Sequence, residues 1–409
     1  MLRHLLIAVV AWFLVGTLAN AQGLPAPAPG AVRFATFNIE ILSAEKLKSL
    51  DGQGHGNHPQ LLKAAEIIQR IRPDVLLINE IDYDGPAGDQ DAAAQPDTTG
   101  DRSVNSATRF RDLYLKRGQN GLSSLDYPHL FYRPSNTGLP TGQDLDNDGK
   151  NDGPADAFGF GNYPGQYAMA LYSRFPIDTA AARTFRMFLW AEMPGNLMPD
   201  GRNGKPEFYS AEEARIFRLS SKSHWDVPVQ IGNRVVHVLA SHPTPPIFDG
   251  PEDSNGRRNF DEIRLWADYI AGGNRAGYIR DDLGRKGGLS PDAEFVVMGD
   301  LNSDPVRSDK PYGKAAVRQL LDLPVVQDPK PQSNGSLAEP NAIELEDYLP
   351  YRTSKFGRID YCLPSRGIRV FESHVFWPAP NDPLHGLVDP PEPASDHYLV
   401  WVDLALPGK

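Results

Sequence analysis

An α+β fold, with β-sheets packed face to face and helices outside them, is what this sequence predicts, and two patterns carry the prediction. Short apolar, β-rich runs recur along the chain, each bounded by polar residues able to do chemistry. Between them lie segments whose apolar residues repeat at helical spacing, as expected of helices that bury one stripe against a sheet. With 37 Gly and 37 Pro in 409 residues, much of the remaining length must be loop.

Arg3 and His4 precede the almost purely apolar stretch Leu5 to Leu18, and Ala19-Asn-Ala21 places small residues where a signal peptidase reads. A cleaved signal over residues 1–21 is therefore expected, and with it a secreted or periplasmic location. The apolar run is short for a membrane span, which needs roughly 20 residues. Pro25, Pro27 and Pro29 make residues 22–31 a stiff linker. No second linker follows, so residues 32–409 are expected to form one domain.

Six runs define the strands and their polar ends. Arg33–Glu40 ends in Asn38 and Glu40, and Asp74–Glu80 ends in Glu80. Arg234–His242 ends in His242, and Glu294–Asn302 ends in Asp300 and Asn302. Arg358–Leu363 carries Asp360, and Ser395–Val402 opens with Asp396 and His397. Any one of these ends is explained by turn chemistry. Turn chemistry does not explain carboxylates and two histidines recurring behind apolar runs, and sheets packed as a sandwich would bring these ends to one rim. Leu61, Leu62, Ala65, Ile68 and Ile71 mark one helix before Pro73; Phe260, Ile263, Ala267 and Ile270 mark another, starting near Asn259.

The formal net charge is −11. An acidic chain has no general attraction to phosphate backbones, which argues against a passive nucleic-acid coat; an enzyme that grips a phosphoester locally is still allowed. Cys362 is the single cysteine, so no intramolecular disulfide can form, and its strand-like setting predicts a buried small hydrophobe. Asp144, Asp146, Asp148 and Asp152 fall at positions 1, 3, 5 and 9 of an EF-hand-like loop with Gly149 at position 6. Position 12 is Ala155, and Gly-Pro residues follow, so a helix-free calcium loop that orders its surroundings is expected.

The ordered set Thr36-Phe-Asn-Ile39, Ile78-Asn-Glu-Ile81, Ala170-Leu-Tyr-Ser-Arg-Phe-Pro-Ile177, Ser241-His-Pro243, Gly299-Asp-Leu-Asn-Ser-Asp-Pro305, Arg358-Ile-Asp-Tyr361 and Ser395-Asp-His397 resembles the endonuclease/exonuclease/phosphatase superfamily, of DNase I-like fold. The resemblance implies a four-layer α/β/β/α sandwich of two mainly antiparallel sheets, and phosphoester hydrolysis at a divalent cation, Mg²⁺ or Mn²⁺. It implies that Glu80 is the principal metal ligand, with Asn38 and Asp396 near it. It implies that His397, oriented by Asp360, acts at the scissile phosphate, that Asp300 and Asn302 position water and phosphate, and that His242 is the second histidine. Arg174 resembles a substrate-backbone contact, and Glu40 is a candidate support beside the first motif.

This chain departs from the family in having Asn79 where Gln is common before the metal-binding Glu. Family cores are also shorter, so long insertions are expected near 83–163, 181–225 and 306–349. Arg257 and Arg258, following His242 in sequence, are placed either on a substrate phosphate or in pairs with Glu252, Asp253, Asp261 and Glu262.

The reading that follows is a metal-dependent phosphodiesterase or nuclease. A phosphomonoesterase or a phospholipase C/sphingomyelinase-type hydrolase on the same scaffold is the alternative. A calcium-dependent binding protein without activity is the reading from another class, and the Asp360–His397 pair speaks against it. The expected partner is a phosphoester substrate (nucleic acid, nucleotide or phospholipid head group), with no obligate protein partner and no membrane span.

Overall fold

The computed structural model describes residues 27–85, 104–306, 313–338 and 349–406. The expected signal segment and the start of the linker lie outside these residues. The first sheet has six strands in the order β10-β11-β1-β2-β4-β3: β1 is Ala31–Leu42, β2 Val75–Ile81, β3 His129–Phe131, β4 Ala168–Ser173, β10 Val370–Val375 and β11 Val400–Ala405. The second has five in the order β5-β6-β7-β8-β9: Arg183–Thr184, His224–Ile231, Arg234–Ser241, Glu294–Asp300 and Asp360–Pro364.

Each sheet contains one parallel pair, β1 with β2 and β7 with β8, and all other pairings between these strands are antiparallel. A parallel pair needs a crossover connection. Helix α1 (Pro59–Ile71) supplies it in the first sheet, and α4 (Ser254–Ala271) in the second. The short helices α2 (Ser106–Phe110) and α3 (Ala211–Ile216) lie in the stretches read as insertions.

Alternation along the strands explains the layers. In β8, Val296 and Met298 join the inter-sheet core with Val236, Val238 and Ala240 of β7 and residues of the first sheet. Phe295 and Val297 point the other way, into a second core with Ile263, Trp266, Ala267 and Ile270 of α4. Leu61, Ala65, Ile68 and Ile71 of α1 join the first core. The expected four-layer α/β/β/α sandwich is therefore what forms.

Two expectations need correction. Helix α4 begins at Ser254, five residues before Asn259, because Asn255 and Gly256 read as turn residues while Asp253, at φ +55°, turns the chain into the helix. The stretches at 83–163 and 181–225 are not all loop: the first supplies edge strand β3 and the second β5. Cys362 is buried, and burial pushes its thiol up, so it packs as a small hydrophobe.

Candidate active site

Strand register assembles the site. Asn38 of β1 lies opposite Asn79 of β2, one residue before Glu80, and Asp300 closes β8 directly opposite Asp360 at the start of β9. The first sheet's β1 and β2 face β8 across the sandwich, so both sets of ends reach the same rim. Backbone irregularities then aim the side chains. Glu80 sits at φ +66° where the β2–β4 register slips between Asn79 and Ile81, which turns its carboxylate out of the strand's alternation. Asn302 is likewise left-handed at φ +49°. Gly299, at φ +144°, is required by space: a Cβ there would stand 2.0 Å from the Ser241 carbonyl oxygen.

The side chains form one hydrogen-bonded cluster. The Asn38 amide donates to Glu80 Oε1 and to Asp300 Oδ2, both at 3.1 Å, while Glu80 Oε2 accepts from the Ile41 N–H at 3.0 Å. Asp300 Oδ1 accepts from the Asn302 N–H at 2.9 Å, and Oδ2 lies 3.4 Å from His242 Nε2 and 3.8 Å from His397 Nε2. His397 Nδ1 lies 2.9 Å from Asp360 Oδ2, which also accepts from the Thr353 hydroxyl at 2.8 Å. Ser395 ties this loop to β1 by donating to the Asn38 carbonyl at 2.7 Å and accepting from the His397 N–H at 3.1 Å. Asn302 Nδ2 donates to the Pro243 carbonyl at 3.1 Å, which places it beside His242.

Electrostatics follow from burial and from this crowding. Burial pushes Asp300 up to about 7, opposed by His397 and reinforced by Asp360. Burial works against charge on His397, yet Asp360, Asp300 and Asp396 together hold it well above the ordinary histidine value. His242 moves the other way, well below it, because burial is joined by the charges of Lys222 and His397. The cluster thus holds one imidazolium and one neutral imidazole on either side of Asp300.

Several features fit a divalent cation. Asn38 Oδ1 is buried with no hydrogen-bond partner among the described residues, and it belongs to the side chain that already donates to Glu80. Glu40 is raised by burial and by the neighbouring carboxylates of Asp396 and Glu80, so three acids converge here. Hard oxygen donors crowded against an orphaned amide oxygen are what a cation such as Mg²⁺ or Mn²⁺ is held by. Asp300, Asp360 and His397 form a second group of converging ligand atoms, within 4.8 Å of one another, but their mutual hydrogen bonding already accounts for that closeness.

Two arginines are not brought to the site. Arg174 follows β4, and Ser173 pairs with Val75 at the far end of β2 from Glu80; it is held there by an ion pair of 2.9 Å with Asp74. Arg258 is buried and donates to the carbonyls of Leu219, Phe158 and Arg218, so it clamps the 181–225 stretch to α4 and makes no hydrogen bond to the acids beside it in sequence among the described residues. Asp261 and Glu262 are engaged elsewhere: Asp261 accepts from the Trp190 indole Nε1–H and the Leu197 N–H, and Glu262 from the backbone N–H groups of Ser221 and Thr244.

The acidic loop closes on itself. Asp144 accepts from the N–H groups of Asp148 and Gly149, and the convergent carboxylates are Asp144, Asp146 and Asp156; Asp148 and Asp152 are not in that group. Asp156, thirteenth counting from Asp144, is the residue that spacing did not select.

Sequence reading also missed Lys222, Thr353 and Ser395. Lys222 lies in the polar run Arg218-Leu-Ser-Ser-Lys-Ser223 immediately before β6, a strand that starts beside the site as β7 ends there. Attention to strand ends alone passes over it; Asp396 and His397, which also precede a strand, were the available hint.

A model of the Endonuclease/Exonuclease/phosphatase family matches residues 35–397, which spans the site residues from Asn38 to His397. The chain belongs to this family. Its members hydrolyse phosphoester bonds, and the chain is a phosphoester hydrolase by that membership. An endonuclease/exonuclease/phosphatase from Beutenbergia cavernae is similar in structure at 18% identity, with a TM-score of 0.50 over 92% of this chain and 72% of that one, which supports the fold. A family protein from Leptotrichia buccalis (14% identity, TM-score 0.47, 91% and 99% coverage) and a sphingomyelinase C from Streptomyces griseocarneus (14%, 0.43, 91% and 99%) are more distant matches. A search of curated proteins returned no match.

Proposed function

We propose that this family member is a secreted, metal-dependent phosphodiesterase that directs water at a phosphodiester without a covalent intermediate. The observation that carries the reading is the single network joining buried Asn38, Asp300, Asp360, His242 and His397 to half-buried Glu80. It combines oxygen ligands, a carboxylate with a near-neutral proton affinity and a His–Asp pair.

Glu80, Asn38 and Asp396 would hold Mg²⁺ or Mn²⁺, which when bound neutralises charge building on the phosphoryl oxygens. Asp300, raised to about 7, takes the proton of the attacking water near neutral pH. Asn302 and Asn38 fix its carboxylate, through the 2.9 Å backbone bond and the 3.1 Å amide bond. His397 keeps its proton because three carboxylates surround it, and its Nε2 N–H is available to a phosphoryl oxygen while Nδ1 stays on Asp360. His242, neutral and 3.4 Å from Asp300, donates to the phosphate or to the departing oxygen.

A non-catalytic binding protein would not need an imidazole held between two carboxylates. The test is purified protein assayed on plasmid DNA, RNA, a chromogenic bis-ester, a chromogenic mono-ester and sphingomyelin, each with Mg²⁺, Mn²⁺, Ca²⁺ or EDTA. Metal-dependent cleavage of at least one diester is expected. Turnover of the mono-ester alone would move the reading to a phosphomonoesterase, and no turnover of any of them would contradict it.

A further inference from the structure

We propose that Phe160, Phe248 and Phe356 form an apolar collar that seats the site on a lipid surface without net charge; this rests on the phosphodiesterase reading above and makes its substrate an amphiphilic phosphodiester. Among the described residues these are the exposed phenylalanines, at 59%, 89% and 62%. A single exposed apolar ring needs no explanation, but three on separate loops around one site do.

Each ring leaves the site by a short, fixed path. Phe248 tips the loop that follows His242. The base of that loop is held by Asn302 Nδ2 and Asn259 Nδ2, which donate to the Pro243 and Thr244 carbonyls at 3.1 and 2.8 Å. Its far side is held by Asn255, whose N–H donates to Asp249 at 2.6 Å and whose side-chain amide donates to the Ile247 carbonyl at 2.7 Å. Phe248 itself takes φ +69°, which a bulky residue adopts only when its surroundings enforce it. The loop thus holds an apolar ring outward at a conformational cost, with exposed Ile247 beside it.

Phe356 lies between Thr353, which donates to Asp360, and Asp360 itself; its N–H donates to Ser354, which bridges His397. Phe160 follows Gly159, where a Cβ would stand 1.8 Å from the Ser221 carbonyl oxygen, and the Ser221 hydroxyl donates to the His242 carbonyl at 3.4 Å. Ile41, also exposed, donates its N–H to Glu80.

Exposure and charge select the occupant. Each ring is more than half exposed, so the three do not close into a pocket around one small apolar group; rings that protrude separately suit entry into a layer. A single-stranded polyanion would need basic side chains among the aromatics, and the net charge is −11. The same charge repels an anionic layer, which leaves a zwitterionic or uncharged one. With the rings among acyl chains, the carboxylates and histidines of the rim meet the head-group phosphodiester.

The test is flotation with phosphatidylcholine vesicles in EDTA, which reads binding without turnover. Wild type, the triple variant Phe160→Ser, Phe248→Ser, Phe356→Ser, and Val235→Ser are compared, with folding followed by circular dichroism. Val235 is exposed at the end of β7 opposite His242. Wild type and Val235→Ser are expected to bind alike and the triple variant at least about tenfold more weakly, as loss of buried phenylalanines requires. Phosphatidylglycerol in the vesicles is expected to reduce binding. No binding by wild type, equal binding by the triple variant, or binding only with phosphatidylglycerol would overturn the proposal. Should the triple variant misfold, Phe248→Asn, which suits the left-handed backbone, is read in the same way. With Mn²⁺, the triple variant should lose about tenfold or more in kcat/KM on sphingomyelin or phosphatidylcholine in vesicles and keep wild-type turnover of the soluble bis-ester. Equal losses on both substrates, or bis-ester hydrolysis with neither lipid cleaved, would overturn it. Collar-dependent binding with no diester hydrolysed would instead remove the phosphodiesterase reading and leave the docking surface.

Discussion

At the scale of single residues, burial decides which state each titratable group keeps. His224 shows this away from the chemistry. Its ring packs at a tilt against Trp266, with Nδ1 2.7 Å from the Ser220 hydroxyl and Nε2 3.0 Å from the Glu262 backbone carbonyl. Burial lowers it from its ordinary 6.5 to about 4. It stays neutral in the fold while the unfolded chain takes up a proton below pH 6.5, so stability present above that pH is lost as pH falls towards 4. The expected slope is about 1.4 kcal/mol per pH unit across that window. Urea unfolding from pH 7 to pH 4.5 should give a slope shallower by about this amount in His224→Asn than in wild type; equal slopes would mean that His224 is not held neutral. Residue identity was legible in sequence where a strand stopped on it, as with Glu80 and Asp300. Thr353 was not, because its role depends on the Asp360 carboxylate that folding brings to its hydroxyl.

Elements set the aim of these residues, and their boundaries carry local strain. Gly299 is the clearest case, since β8 passes the Ser241 carbonyl so closely that no side chain fits. Gly299→Ala should cost roughly 3 kcal/mol from backbone strain and overpacking, whereas Gly367→Ala, where a Cβ meets nothing within 4 Å, should be nearly silent. Thermal melts of the two variants check this; equal melting temperatures would contradict it. The apolar runs predicted β1, β2, β7, β8 and β9 to within a few residues, because alternation and burial are local signals. The bulge that turns Glu80 outward, and the start of α4 at Ser254, are set by tertiary contacts that no periodicity records. For the acidic loop, spacing selected Asp144 and Asp146 but not buried Asp156, which folding brings back to them. If the loop takes calcium as spacing suggests, adding Ca²⁺ to chelated protein raises the melting temperature, and Asp144→Asn removes the rise; an unchanged temperature leaves the loop closed by its own hydrogen bonds.

Across the whole molecule, two parallel strand pairs crossed by α1 and α4 deliver ends from both sheets to one rim, so the site draws on residues from Asn38 to His397. That spread was legible as a recurring pattern of polar strand ends, and it is why the densest acidic stretch, at 144–152, was not the catalytic centre. The arginines were misplaced for a whole-molecule reason. Arg174 follows an antiparallel strand and so emerges at the opposite rim, and Arg258 is consumed by carbonyls of the 181–225 stretch. The net charge of −11 fits a site that grips one phosphate through a cation and a few donors, because an acidic chain has no general attraction to a polyanion.

The central claim is that acids and histidines from separate strands act as one metal-dependent centre. Its most direct test is the rate of bis-ester hydrolysis against Mn²⁺ concentration for wild type, Glu80→Ala, Asp300→Ala and His397→Ala. Wild type should need the cation and lose activity in EDTA, and Asp300→Ala and His397→Ala should each fall by about 10²–10⁴-fold at saturating metal. Glu80→Ala should require far more Mn²⁺ for whatever rate remains. Wild-type turnover in all three variants would contradict the account.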